Sequence, residues 1–125
     1  MRRAAGAVYL TAMAKVLKIY GLDYCSTVQK ARAALESVGW QIDFRDVKAD
    51  PLSAAEWQQM LDHFGEKLVN RASLTWRGMS DEERAAPPVE MLSAKPALMK
   101  RPAIDLDGQY FLGWTANVKR ALGAE

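Results

Sequence analysis

Cys25 is the only cysteine in the chain, and it stands where a strand-like run gives way to a helix-like one. Val16, Leu17, Lys18, Ile19 and Tyr20 lead through Gly21, Leu22, Asp23 and Tyr24 to the thiol, and Ser26, Thr27 and Val28 follow it. From Val28 the apolar positions recur at Ala31, Leu35 and Val38, the spacing of one helical face. A thiol in the first turn of a helix faces unpaired backbone N–H groups and the positive end of the macrodipole. Both favour the thiolate, which is the nucleophilic form. A second reading is equally open on placement alone: free cysteines are commonly buried as small hydrophobes and react only where exposed and electropositive. One cysteine permits neither an internal disulfide nor a cysteine-rich zinc site, and a lone His63 adds little as a ligand. No metal and no bound organic cofactor are expected.

The elements that would hold this thiol follow from the local pattern. Val16–Tyr20 reads as a strand, about Cys25 to Val38 as a helix closed by Gly39, and Trp40–Val47 as a second strand. Strand, helix and strand within so short a stretch make a βαβ unit with parallel strands. Asp50-Pro51 breaks the chain, and Ser53 with Glu56 three residues later is a capping-box signature. The helix it opens turns Trp57, Met60, Leu61 and Phe64 to one side and ends at Gly65. Residues from about 53 to 98 read as a mostly helical insertion, with short segments near Lys67–Asn70, Asp81–Ala85 and Val89–Ser93. Ala103–Leu106, Asp107-Gly108 and Gln109–Leu112 read as a β-hairpin. Thr115 is placed to cap a last helix with Val118, Ala121 and Leu122 inward. The order β-α-β, helical insertion, β-β-α is that of an α/β, thioredoxin/glutaredoxin-like fold.

The 125 residues fit one domain large enough to bury a core without disulfides. Half of them are hydrophobic and the net charge is only +2, with no block of like charge. No nucleic-acid footprint follows from that balance, and no segment approaches the length of a membrane span. Arg2 and Arg3 followed by the apolar run to Ala14 resemble a weak export signal, while Met13 offers an alternative start. Residues 1–14 are read as a flexible or over-extended N-terminus, and residues 15–125 as one domain. A monomer in the reducing cytoplasm is expected.

The run from Tyr20 to Leu35 resembles the first strand, active loop and helix of the arsenate reductase (ArsC)/Spx family, and most of all its small YffB-like group. Leu68–Arg77, Lys100–Ile104 and Phe111–Trp114 match further motifs of that family in order, so that the resemblance covers the chain from Val16 onward. It implies that Cys25 is the redox or nucleophilic residue, and that Arg101 precedes a cis proline, Pro102, facing the thiol. A guanidinium there would serve both an anionic substrate and the thiolate. The backbone amides of Ser26, Thr27 and Val28 would cradle an anion at the helix start. Arg77 matches the relatives' Trp-Arg pair, whereas a gapless match puts Ala72 where an arginine is expected and Arg71 one position earlier. For Arg71 and Arg77, substrate binding and plain solvation are both open. Trp76 and Trp114 flank family motifs and are candidates to line the site; His63 is expected on a helix face rather than as a base.

Departures from authentic arsenate reductases shape the functional expectation. Those enzymes have Cys-Gly-Thr-Ser at the thiol, and this chain has Cys25-Ser26-Thr27-Val28. They carry another arginine in the last hairpin, where this chain has Leu112-Gly113. An oxyanion site with one arginine missing and another displaced would hold arsenate poorly. Val28 also stands where redox-sensing Spx proteins have their second cysteine, which excludes an internal dithiol switch. The expectation is a monothiol, glutathione-dependent oxidoreductase, its ligand glutathione or a small oxyanion. The alternative is an Spx-like, non-catalytic regulator that binds a protein. Glutaredoxin and RNA polymerase are the protein partners the resemblance suggests.

Overall fold

The computed structural model describes residues 16–125; the readings made for residues 1–14 lie outside them. The chain forms β1 (Val16–Gly21), α1 (Ser26–Ser37) and β2 (Gln41–Asp46), then the insertion. This comprises α2 (Ala54–Phe64), a 3-10 turn (Gly65–Leu68), α3 (Leu74–Arg77), α4 (Asp81–Arg84), α5 (Pro88–Ala94) and a second 3-10 turn (Pro96–Leu98). The hairpin of β3 (Ala103–Leu106) and β4 (Gln109–Leu112) and the closing α6 (Ala116–Ala121) complete it. Four strands make one sheet in the order β2-β1-β3-β4, parallel between β1 and β2 and antiparallel elsewhere. This is the mixed α/β, thioredoxin-like arrangement expected. No helix among the described residues is long and apolar enough to cross a membrane.

Side chains alternate across a strand, so each face of this sheet builds its own core. Leu17, Ile19 and Ile104 face α1 and α6, where Leu35, Val118 and Leu122 close over them. Tyr20 and Ala103 belong to the opposite core, filled by Trp57, Met60, Leu68, Leu92, Leu98 and Met99 from the insertion. Trp57 is completely buried, which makes it core rather than binding platform.

Local chemistry sets the boundaries. Ser53 accepts from the Glu56 N–H while the Glu56 carboxylate accepts from the Ser53 N–H, the capping box its spacing predicts. Ser80 and Glu83 repeat that device at α4. Both Asp107 (φ 52°) and Gly108 (φ 94°) take positive φ, the requirement of a type I′ hairpin turn. Thr115 caps α6 by accepting from the Val118 N–H.

Three details differ from the sequence pattern. The first helix ends at Ser37, so Val38 is its C-cap and 44% exposed instead of continuing the apolar stripe. Ala121 is exposed because the short α6 buries only Val118, with Leu122 just beyond its end. Leu74–Arg77 forms a helical turn of its own, started by Ser73, whose hydroxyl accepts from the Trp76 N–H.

Arg45 fastens the insertion to the sheet. Its guanidinium donates to Glu56 at 2.7 Å and to the carbonyls of Asp50 and Pro51. The Arg45 hydrogen bond, aided by the Ser53 N–H, holds the Glu56 carboxyl down at about 2. A carboxyl depressed in the folded state stabilises the fold above its unfolded value and loses that contribution as pH falls. Glu56→Gln is therefore expected to lower the melting temperature near neutral pH, by the equivalent of about 1 kcal/mol or less for so solvent-screened a pair. The gap from wild type should narrow as pH falls from about 4.5 toward 2. Melting curves across that range check it.

Candidate functional site

Four chain segments meet at one end of the sheet. The first is the β1–α1 connection, which carries Cys25. In the β1–β3 register Tyr20 pairs with Ala103, so that Arg101 and Pro102 continue alongside Gly21 and Leu22. The peptide between Arg101 and Pro102 is cis, as the family resemblance implied. The third segment is β4: Leu112 pairs with Ala103, and the Gly113 N–H donates to the Pro102 carbonyl at 2.8 Å. The fourth is the strap from Leu68 to Arg71, pinned by Lys100 N–H to Leu68 carbonyl at 2.7 Å and Asn70 N–H to Leu98 carbonyl at 2.8 Å.

Cys25 is the N-cap of α1, one position before the helix rather than inside its first turn. Its carbonyl accepts the Gln29 N–H, and among the described residues no side chain caps the helix start. The first-turn amides of Ser26, Thr27 and Val28 lie beyond the reach of i−4 carbonyls, as at any helix start. The thiol is half-buried and packs against the core that holds Leu22, Val69, Met99 and Ala103. Ser26 and Thr27 are exposed, whereas Val28 is fully buried, so that of the three only Ser26 and Thr27 are open to an anion from solvent, and Val28 serves as core.

The arginines differ in their commitments. Arg101 is half-buried and has no carboxylate partner among the described residues. Arg71 is bound to Glu66 at 2.9 Å and lies 5.3 Å from the Trp76 ring centroid. Arg77 is exposed and donates to the Ala72 carbonyl at 3.3 Å, within its own loop. Trp76 packs against the same core as Cys25, but Trp114 packs against the core on the other face of the sheet. His63 is an exposed residue of α2, stacked on Tyr110 with ring centroids 3.8 Å apart.

One residue important to this geometry escaped the sequence reading. Asp46, the last residue of β2, accepts the Asp23 N–H on Oδ2 at 3.0 Å and the Lys48 and Ala49 N–H groups on Oδ1. It thereby ties the loop before Cys25 to the loop after β2. These backbone donors, that of Asp23 foremost, hold its carboxyl below the usual carboxylate value. An aspartate ending a strand carries no local signal of such a role, because Asp23 lies 23 residues away.

A thiol at a helix start beside the strand that follows a cis proline is the layout of an ArsC-like thiol-oxidoreductase fold. No family model matches the sequence. A solved arsenate reductase (ArsC) related protein from Brucella melitensis is 33% identical, with a TM-score of 0.70 over 85% of this chain and 92% of that one. A solved YffB protein is 27% identical, with a TM-score of 0.77 over 85% of this chain and 97% of that one. An uncharacterized protein of Haemophilus influenzae is 30% identical over 104 residues, 79% of this chain and 91% of its own length. The chain belongs to the arsenate reductase-related, YffB-like family.

Asp46→Ala should free the loop before the thiol. Removing a charged acceptor of three N–H groups is expected to cost about 1–2 kcal/mol. Hydrogen exchange at the Asp23 amide should quicken beyond what that global loss accounts for. Because the folded carboxyl is depressed, the stability difference from wild type should be full near neutral pH and shrink in acid.

Proposed function

We propose that the protein is a monothiol, glutathione-dependent oxidoreductase with Cys25 as its nucleophile. The observation that carries this reading is the start of α1 at Cys25, set at the same end of the sheet as Arg101, which has no carboxylate partner among the described residues. Helix-start amides and a nearby guanidinium favour a thiolate and an anionic substrate alike.

The cycle needs one cysteine. Cys25 thiolate attacks the glutathionyl sulfur of a mixed disulfide, the S–S bond breaks, and the substrate leaves as a thiolate that takes up a proton. Cys25 now carries the glutathionyl group. A glutathione thiolate attacks that glutathione sulfur, releasing oxidised glutathione and restoring Cys25. The substrate disulfide is reduced by two electrons, and two glutathionyl groups end as one disulfide. No second cysteine competes for the intermediate, so an external thiol must resolve it. Such a cycle suits a reducing compartment, the cytoplasm above all.

Arg101 would hold the carboxylate or developing thiolate beside Pro102, with the amides of the exposed Ser26 and Thr27 completing an anion cradle. Arg71 and Arg77 would assist from the rim, Arg71 with its charge already shared with Glu66. Disulfide chemistry is favoured over arsenate reduction because Leu112-Gly113 brings no arginine to the hairpin and Arg71 is engaged elsewhere.

Turnover of a glutathionylated peptide with glutathione supplied tests this. Cys25→Ser should abolish it, and Arg101→Ala should lower kcat/KM by about tenfold or more. Arsenate should be reduced poorly by the wild type. Undiminished turnover by Cys25→Ser would overturn the mechanism.

A further inference from the structure

A groove of about 650 Å³ opens beside the thiol end, between the end of α2, the Leu68–Arg71 strap and β4. Its lining includes neither Cys25 nor Arg101 and shares only Arg71 with the residues proposed around the thiol. Three cations, Lys67, Arg71 and Lys100, line it, and among the described residues no carboxylate does. Arg71 shares its charge with Glu66 at 2.9 Å, but Lys67 and Lys100 have no carboxylate partner among the described residues. The Lys100 stem runs along Gly113, its Cε 3.6 Å from where a Cβ on that glycine would sit. Such a lining suits an anion with more than one negative group.

Its form follows from size and from the adjoining strand. The groove has far more room than a tetrahedral oxyanion fills and lies in the range of clefts that take an organic ligand, so its volume sets a minimum size and the strand beside it sets the form. Tyr110 and Leu112 form one wall, and they belong to β4, the outermost strand of the sheet. No strand among the described residues pairs with the outer side of β4, which leaves backbone donors and acceptors there for an added strand. The stacking of His63 on Tyr110, with Phe64 edge-on at 5.6 Å, fixes that wall in place.

We propose that this groove binds an acidic segment of a partner protein in extended form, laid along β4 with its carboxylates on Lys67, Arg71 and Lys100. Charge selects the partner's side chains and the strand edge selects a polypeptide. Binding of this kind is independent of turnover at Cys25.

Fluorescence anisotropy of the full chain with a fluorescein-labelled, cysteine-free octapeptide of alternating glutamate and valine tests it. Saturable binding is expected at low salt, weakened at least about tenfold in the Lys67→Glu/Lys100→Glu double variant. Both lysines are exposed, and circular dichroism verifies that the double variant is folded. Cys25→Ser should bind the peptide as the wild type does, which separates this site from the proposed catalysis. Absence of binding, equal binding by the double variant, or equal binding of a glutamine–valine peptide would overturn the proposal. So would tighter binding of a single-stranded oligonucleotide, or displacement of the peptide by equimolar S-methylglutathione.

Discussion

The position of the thiol depends on how closely α1 approaches the end of β1. At Gly21 the approach leaves no room for a side chain: a Cβ there would come within 2.7 Å of Val28 Cγ2, so glycine alone fits without a shift. Val28 is fully buried there, which anchors the first turn of α1 against the end of β1. Cys25 is left as the N-cap, half in the core and half toward solvent. Any larger residue at Gly21 would force a shift at Val28, three positions after the thiol.

Around this junction the structure divides its work. The face covered by α1 and α6 is a plain apolar core, tied at one edge by the Trp40 indole donating to the Leu122 carbonyl. The opposite face holds the insertion, and polar anchors set its placement. Arg45 and Glu56 bind α2 to β2, Asp46 binds the thiol loop to the β2–α2 loop, and the Leu68–Asn70 strap lies against Leu98–Lys100. These anchors rest on long-range pairings, and they converge on the end of the sheet where Cys25, Arg101 and the basic groove lie. Hydrophobic burial supplies the stability of both faces, while a few directional bonds decide where the reactive groups stand.

The sequence was legible where the determinants are local. The capping box of Ser53 and Glu56, the Asp107-Gly108 turn and the Thr115 cap each depend on residues at most three positions apart. The β-α-β and β-β-α order was legible for the same reason, and family motifs pointed to the cis bond before Pro102. Helix length was harder to read: the apolar pattern ran on to Val38 and Ala121, but the chain turns before either can be buried. The role of Asp46 and the meeting of Lys67, Arg71 and Lys100 were invisible because folding creates them from separate stretches of chain. Arg71 is the instructive case. Its type and motif suggested anion binding, and only the structure reveals that Glu66 already holds it.

The central claim is that Cys25 alone carries a covalent intermediate that an external thiol discharges. Intact-mass measurement after brief exposure to a glutathionylated peptide tests it most directly. One glutathionyl group should appear on Cys25 and disappear on addition of glutathione, at a rate that accounts for steady-state turnover. A chain that stays unmodified while it turns over, or an adduct that glutathione does not remove, would contradict the account.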